Sequence, residues 1–385
     1  MDTANPLSRL FIMTGHQEAG VSKAMNVELV AGLRHLGADA SLLDIDAAPD
    51  VFAELGYRGF CLIDGNHKIH LPVPIPKFSI MVDHPCMRID DVATGHPPSE
   101  ILGWVDESHP EAAAALSLPY RSMFLPHAGP DLVADPLPMA ERDIDVFFAA
   151  SLAEGTTREG WRAGRPDLPA LLVDLLFDTV ERIETRFEPA IPALLASCAE
   201  RGVAVNEAFD RAQFCSIVSK AIEIAEMNRR VNVLQSLPEL RICIAASQLP
   251  ASLKDRPNIS HTGFLDDFAQ IRRLMAHSRI VLNVTAKFPR GSHERVWFGM
   301  AEGAVVLTEK TTMLSEDFQH ENNILYLPQQ RLEPGHLDSL VGLTRQPTLL
   351  QRIAERAREP YRLAHTWKQR AELVWQALRA VAVSL

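Results

Sequence analysis

Residues 279–309 read RIVLNVTAKFPRGSHERVWFGMAEGAVVLTE, a stretch that predicts a strand, a loop, a helix and a second strand in that order. The first six and the last six residues are apolar runs of the length expected for buried strands. The segment HERVWFGMAEG (293–303) between them predicts a helix, which Gly303 would end in a left-handed cap. Because alternating strands and helices are typical of layered α/β domains, the stretch predicts a unit of an α/β sheet.

The entrance of this predicted helix is rich in polar and basic residues. A helix N-terminus carries unpaired N–H groups and a partial positive charge, so a diphosphate would be stabilised there and basic side chains would add cations. The candidate anion-binding residues in and beside the loop are Thr285, Lys287, Arg290, Ser292, His293, Glu294 and Arg295. For three single members a plainer interpretation stays open: Ser292 as an N-cap, Glu294 as an ordinary first-turn carboxylate and Arg295 as a solvated side chain.

Similar apolar runs on both sides of this stretch predict two successive α/β halves. The first half carries RLFIMTG, SLLDID, GFCLIDG, FSIMVDHP, ILGWVDES and SMFLPHAG, and the second carries IDVFFAASL, RICIAA, ISHTGFL, RIVLNV, AVVLTE and ILYLP. Short buried runs with helical segments between several of them are typical of mostly parallel sheets that are covered on both faces. The fold class that we predict is therefore α/β, with two Rossmann-like domains.

A segment rich in Pro and acidic residues, GPDLVADPLPMAERD (129–143), separates the two halves. We place the N-terminal domain at 1–143, the C-terminal domain at 144–360 and a final helix at 361–385. A largely helical region at about 168–237 is predicted as an insertion in the C-terminal domain.

Composition excludes several classes of protein. The chain has 385 residues, of which 47% are hydrophobic and 23% charged, as in soluble globular proteins. Its net charge of -11 argues against a general nucleic-acid partner. No apolar run is long enough for a stable membrane span and no signal peptide is evident, so we expect a cytoplasmic protein. The five scattered cysteines suit reduced thiols better than disulfides or a zinc site.

Two common nucleotide-binding motifs are missing. The turn after the first strand reads TGHQEAG, which lacks the GxGxxG pattern of a dinucleotide site, and no GxxxxGK[ST] pattern occurs anywhere in the chain. The sequence therefore argues against a nicotinamide enzyme and a P-loop NTPase. Two DxD triplets occur, at 44–46 and 143–145, and we interpret them as strand-end and linker acids rather than as a metal–diphosphate motif.

Residues 282–309 resemble the signature region of group 1 GT-B glycosyltransferases. They are most similar to the bacterial spore-maturation-type (CgeB-like) branch, where a pattern of the kind RVFEAMACGAxVLT recurs. SMFLPHAG (122–129), IDVFFAASL (144–152) and AHTWKQRAELVW (364–375) fit the same family. The resemblance implies GT-B architecture, in which two Rossmann-like domains face a cleft and a C-terminal helix crosses back to the first domain.

The same resemblance implies a function. The C-terminal domain would bind a nucleotide-sugar donor through the helix entrance and Gly303, and the N-terminal domain would bind a glycan, a lipid-linked saccharide or a protein as acceptor. GT-B enzymes generally need no metal, because helix dipoles and basic side chains neutralise the leaving diphosphate. We therefore expect neither a metal ion nor a cofactor.

Sugar transfer to a hydroxyl needs a base for the acceptor proton or a group that stabilises positive charge on the sugar. The candidates in the N-terminal domain are His16, after the first predicted strand, and the pair Asp83 and His84. Because adjacent residues on a strand point to opposite faces, we expect one member of this pair to be structural.

One departure from the family pattern leaves the activity open. Many relatives carry a ribose-binding acid four or five positions before the glycine, where this chain has Phe298 or Gly299. Neither side chain can accept a hydrogen bond from a ribose hydroxyl. Beside a glycosyltransferase we therefore keep two alternatives: a catalytically silent subunit that binds a nucleotide sugar or a partner, and a nucleotide-sugar epimerase.

Overall fold

A computed structural model describes residues 9–14 and 20–382, except for the side chain of Ala93. The chain divides into two compact units. The described residues of unit 1 are 9–14, 20–131, 266–268 and 361–382, and those of unit 2 are 132–265 and 269–360.

Unit 1 is built on a six-stranded parallel sheet in the order β2-β1-β3-β4-β5-β6. Its strands are β1 (Leu10–Thr14), β2 (Ala40–Asp44), β3 (Cys61–Gly65), β4 (Lys77–Met81), β5 (Glu100–Trp104) and β6 (Arg121–Phe124). Its helices are α1 (Val21–His35), α2 (Ala48–Glu54), α3 (Ser108–Ala115) and, at the end of the chain, α15 (Trp367–Ala382). Short 3-10 turns occupy Pro85–Arg88, Asp91–Ala93 and Pro97–Ser99.

The final helix α15 packs against α1, which confirms that the chain returns to its first half. The contact is close because Gly32 on α1 has no side chain: a Cβ there would lie 2.7 Å from the Cβ of Ala371. The backbone N–H of Trp367 donates to the carbonyl of Gly129 at 3.0 Å, which fixes the start of α15 in unit 1.

Unit 2 also contains a six-stranded parallel sheet, in the order β12-β11-β10-β7-β8-β9. Its strands are β7 (Ile144–Ala149), β8 (Ile242–Ala245), β9 (Ile259–His261), β10 (Ser278–Leu282), β11 (Val305–Thr308) and β12 (Leu325–Tyr326). The strand order reverses between β7 and β10. In doubly wound sheets, ligands bind in the crevice beyond the carboxyl ends of the strands at such a reversal.

Along the chain, at least one helix lies between each two consecutive strands of this second sheet, as in a doubly wound domain. Those that lie mainly in unit 2 are α4 (Arg158–Gly164), α5 (Ala170–Arg186), α6 (Ala190–Glu200), α7 (Val205–Ala208), α8 (Arg211–Ser236), α9 (Ala251–Lys254), α10 (Phe268–Ala276), α11 (Glu294–Ala301), α12 (Thr312–Asp317), α13 (Ser339–Thr344) and α14 (Pro347–Ala364), with a 3-10 turn at Met139–Glu141. Five of these helices, α4 to α8, follow one another without an intervening strand, between β7 and β8.

The structure also bears on the sequence-based expectations for membrane spans and for the cysteines. In the described part of the chain, no helix combines the length and the apolar character needed to cross a membrane. All five cysteines lie in that part, where they are buried and form no disulfide.

Candidate functional site

A buried arginine spans the point where the strand order of unit 2 reverses. Arg230 on α8 donates from Nη1 to the carbonyl of Ser151 at 3.0 Å and from Nε to the carbonyl of Val284 at 3.3 Å. These carbonyls belong to the segments that leave β7 and β10, respectively. Arg230 is 7% exposed, so this guanidinium holds the two walls of the crevice together from inside.

Glu226 lies one helical turn before Arg230 and completes this arrangement. Its Oε1 accepts a short hydrogen bond from Arg230 Nη2, and its Oε2 accepts one from the backbone N–H of Ala286. The side chain is buried. Glu226 therefore joins α8 to the loop that leads from β10 into α11.

Arg295, in the first turn of α11, points toward the ends of the strands. Its Nη1 donates to Asn283 Oδ1 at 2.7 Å, and Asn283 Nδ2 donates to Thr308 Oγ1 at 2.9 Å. The guanidinium also lies 5.7 Å from the ring centroid of Phe148. Burial, reinforced by the neighbouring Arg230, lowers the pKa of Arg295 to about 10. The interpretation of Arg295 as a solvated side chain is therefore wrong, because the residue is buried.

The entrance of α11 is capped by His293, and the alternative interpretation of Ser292 as the N-cap is wrong. His293 Nδ1 lies 3.3 Å from the backbone N of Arg295 and 2.9 Å from Glu294 Oε2. Burial lowers the pKa of His293, which favours a neutral ring. Ser292 instead accepts a hydrogen bond from Trp297 Nε1 at 2.8 Å, so it ties the loop to the body of the helix.

The remaining polar residues of the entrance differ in exposure. Thr285 is buried, and its Oγ1 accepts from the backbone N–H of Lys287 at 3.2 Å. Lys287 and Arg290 are half-buried, so both retain access to solvent. The loop therefore presents two accessible cations beside the first turn of α11.

Gly303 lies at the opposite end of α11 from this entrance. Its φ of 74° confirms the left-handed cap predicted from the sequence. A Cβ at Gly303 would lie 2.6 Å from the Cβ of Pro136, so the absent side chain also permits a close approach of two chain segments. The structure thus separates Gly303 from the other predicted donor-binding residues.

Sequence reasoning did not identify the contribution of α8 to this site. Besides Glu226 and Arg230, the helix contributes Arg229, whose Nε donates to Glu309 Oε1 at 3.1 Å just beyond β11. Arg229 also donates to the carbonyls of Pro328 and Gln330 at 2.7 and 2.6 Å. The available signal was the run EMNRRVN (226–232), which puts two adjacent arginines in the middle of a long predicted helix.

Glu309 allows a test of this buried network. Burial raises its pKa to about 7, although Arg229 acts in the opposite direction. Within the described residues, its Oε2 has no hydrogen-bond partner. A carboxyl group whose pKa is raised by folding contributes stability below its unfolded pKa of about 4.3, and this contribution is lost as the pH rises through the folded pKa.

We therefore expect Glu309→Gln to raise the free energy of unfolding at pH 8 by on the order of 1–3 kcal/mol. Glutamine still accepts from Arg229 but does not ionise. At pH 5 most of the difference should disappear, because Glu309 is then mostly protonated in the folded state. Urea unfolding at the two pH values measures this. A variant that is less stable than the wild type at pH 8 would show that the ion pair outweighs the cost of burial.

Asp83 and His84, two of the predicted catalytic residues, contact different groups in unit 1. β4 ends at Met81, so the strand is shorter than predicted and both Asp83 and His84 lie beyond it. Asp83 Oδ2 accepts from Arg88 Nε at 3.0 Å and from Asn66 Nδ2 at 3.4 Å. This carboxylate is therefore held in an ion pair.

His84 is buried, and its Nδ1 accepts from the backbone N–H of Cys86 at 3.2 Å. Burial and the neighbouring His109, whose ring centroid is 5.0 Å away, hold the pKa of His84 well below its usual value. Its imidazole is therefore neutral at pH 7. The third candidate, His16, lies outside the described residues.

The acids of the two DxD triplets have local partners. Asp145 Oδ1 accepts from Arg241 Nη2 at 3.0 Å and from Arg279 Nη1 at 2.7 Å, and Asp44 Oδ1 accepts from the backbone N–H of Asp46. Among residues 9–14 and 20–382, no group of three or more His, Cys, Asp or Glu side chains is arranged to hold a metal ion.

Comparison with known proteins gives one family match over part of the chain and several structural similarities. Residues 229–376 match the family model described as "Glycosyl transferase-like". No curated protein sequence matches the chain. A sucrose-phosphate synthase from Thermosynechococcus elongatus is similar in structure, with a TM-score of 0.54, 10% identity and coverage of 98% of this chain and 100% of that chain. An alpha-glucosyltransferase in complex with UDP has a TM-score of 0.52 and 10% identity, with 95% and 99% covered.

The matched segment of 229–376 contains Arg229, Arg230, the complete entrance of α11 and the last five strands of unit 2. The structural similarities support the fold alone, because the identities are low. The two parallel six-stranded sheets and the packing of α15 on α1 agree with that fold. Residues 229–376 are therefore similar to glycosyl transferase-like proteins, and the chain has a GT-B-like fold.

Proposed function

We propose that the protein transfers a sugar from a nucleotide-sugar donor to an acceptor, and that unit 2 binds the donor. The observation that carries this proposal is the convergence of basic side chains at the strand-order reversal. Arg230 and Arg295 are buried at the edge of the crevice. Lys287 and Arg290 lie on the loop that leads into α11. A diphosphate is the ligand that such a combination of cations and helix N-terminus suits.

We assign different roles to these four basic residues according to their exposure. Lys287 and Arg290 can reach a ligand from solvent, so we assign the direct phosphate contacts to them. Arg295 and Arg230 are held by neighbouring protein groups, and we assign them a supporting positive charge below the binding surface. In this proposal the cations neutralise the leaving diphosphate without a metal ion.

On the acceptor side, we propose that the base comes from the carboxyl edge of the sheet in unit 1. Both members of the adjacent pair are candidates, and each would have to give up a partner to accept a proton: His84 is a neutral imidazole whose Nδ1 accepts from Cys86, and Asp83 is engaged by Arg88. His16 is the other candidate. The acceptor would be a glycan, a lipid-linked saccharide or a protein, and the subfamily that we propose is the spore-maturation type.

Donor binding is tested with UDP first, since the similar alpha-glucosyltransferase was solved with UDP. We expect Lys287→Gln/Arg290→Gln to weaken UDP binding about tenfold or more in isothermal titration calorimetry, because charge-assisted hydrogen bonds are lost. Lys254→Gln/Arg345→Gln removes two exposed cations elsewhere in unit 2 and should bind like the wild type. Equal affinity of the two double variants would refute the placement of the diphosphate.

A catalytically silent binding subunit is the second candidate. Phe298, which occupies a position where relatives carry the ribose-binding acid, is 1% exposed and packs inside unit 2. Incubation of the wild type with a panel of nucleotide sugars separates the two functions. Release of nucleoside diphosphate supports the transferase, whereas binding without release or transfer supports the silent subunit.

A further inference from the structure

The helical insertion of unit 2 contains an apolar groove that the proposed sugar transfer does not use. The groove encloses about 550 Å³, which lies within the usual range for small-molecule sites. Its walls come from α4, α5, α7 and α8 and from the segment between α4 and α5. Its apolar lining includes Leu168, Leu172, Val173, Leu176, Phe209 and Ile217.

This lining is partly open to solvent. Val173 and Leu176 are buried in the floor, whereas Leu168 at the rim is 37% exposed. An apolar ligand in the groove would cover leucine surface that water now contacts, which is favourable.

The charged residues that line the groove are both basic, although the chain as a whole has a net charge of -11. They are Arg165, at the end of α4, and Lys220, on α8. Lys220 also pairs with Glu223 on the same helix. In the described part of the chain, Arg165 has no carboxylate within ion-pair distance, and its guanidinium lies 3.8 Å from the ring centroid of Trp161.

The neighbouring arginines differ from Arg165 in this respect. Arg158, Arg162 and Arg201 share the carboxylates of Asp174 and Asp178. Asp174 and Asp178 are thus engaged by other arginines, and Arg165 lines the groove.

Trp161 adds a second polar feature to the same end of the groove. Its Nε1 is buried and has no hydrogen-bond acceptor among the described residues. A buried N–H without an acceptor costs free energy, which an acceptor supplied by a ligand would recover. An anionic group drawn to Arg165 would arrive next to this N–H.

We propose that this groove binds a free single-chain amphiphile that carries a carboxylate head, with the apolar chain along α5 and α8 and the head at Arg165. The apolar lining provides the binding surface for the chain, and the basic end selects the charge of the head. The inference is independent of sugar transfer, because it rests on the helical insertion and is measured as binding.

The test uses dodecanoate as the probe in isothermal titration calorimetry with the full chain. We expect saturable binding, and we expect dodecanol, which has the same chain without the charge, to bind about tenfold more weakly or worse. Arg165→Gln should weaken dodecanoate binding to a similar extent and leave dodecanol unchanged. Equal binding of dodecanoate to the wild type and Arg165→Gln would overturn the assignment of the head.

A groove-filling variant tests the assignment of the chain. Ala212 lines the groove and is exposed, so Ala212→Phe should fold normally and abolish dodecanoate binding. Ala199→Phe, at an exposed position of α6 outside the groove, is the matched control and should bind as the wild type does. Unchanged binding by Ala212→Phe would overturn the proposal. The proposal would also be overturned if the wild type bound anionic vesicles but not monomeric dodecanoate. It would be overturned as well if the wild type self-associated and Ala212→Phe abolished this self-association.

Discussion

Replacing Glu226 by Ala should lower the free energy of unfolding by about 3–5 kcal/mol, because the change leaves buried cations without their carboxylate partner. Glu226 is 2% exposed, and both of its carboxylate oxygens are engaged, one by Arg230 and the other by the backbone N–H of Ala286. Burial and the neighbouring Arg230 already lower the pKa of Arg295, so loss of the carboxylate would increase the repulsion between these two arginines.

Urea unfolding followed by circular dichroism measures this effect, and α8 supplies a matched control. Glu223 is on the same helix and pairs with Lys220, but its side chain is 46% exposed. Because exposed ion pairs contribute little, Glu223→Ala should cost less than about 1 kcal/mol. A loss in Glu226→Ala no larger than in Glu223→Ala would show that the buried carboxylate does not compensate the arginines.

A double variant distinguishes loss of the partner charge from simple loss of packing. Glu226→Ala/Arg230→Met removes both members of the buried pair and replaces the arginine by an unbranched apolar side chain. Replacement of a complete buried pair is much less destabilising than removal of one member. We therefore expect the double variant to be more stable than Glu226→Ala, and a further decrease in stability would contradict the electrostatic explanation.

The strands could be predicted from the sequence because each is a short local run of apolar residues. RIVLNV and AVVLTE, for example, correspond to β10 and β11, which are adjacent and parallel in the sheet. Their exact ends could not be predicted, since an apolar run does not show where inter-strand hydrogen bonding stops. FSIMVDHP illustrates this, because β4 ends at Met81 although the apolar character continues through Val82.

Of the candidate site, the entrance of α11 could be predicted from the sequence and the contribution of α8 could not. The entrance of α11 is one continuous segment, so the sequence displays its polar residues together. Glu226 meets Ala286 across 60 residues of chain, and Arg230 meets Ser151 across 79, so neither contact has a local sequence pattern. Adjacent arginines in a helix are also compatible with an exposed face, and only the packing of α8 against the sheet edge shows that they are buried.

Replacing Gly303 by Ala should lower the free energy of unfolding by about 2–5 kcal/mol. Its φ of 74° is unfavourable for a residue with a Cβ, which costs about 1–2 kcal/mol. The new Cβ would also lie 2.6 Å from the Cβ of Pro136 and 3.1 Å from Nη2 of Arg142, and such overpacking costs about 1–3 kcal/mol. Arg142 cannot move freely, because its Nη1 donates to the carbonyl of Ser278 and its Nη2 to that of Glu302.

Gly202 provides a control that isolates the close contact from the backbone strain. It follows α6 as Gly303 follows α11, with a φ of 66°, but a Cβ there would have no neighbour within 4 Å. Gly202→Ala should therefore cost only the backbone term of about 1–2 kcal/mol in urea unfolding. Because the segment around Pro136 packs against the end of α11, relief of the clash would shift that helix, and UDP binding at its entrance should weaken in Gly303→Ala. Equal stability losses in the two alanine variants would show that this segment yields to the new methyl group.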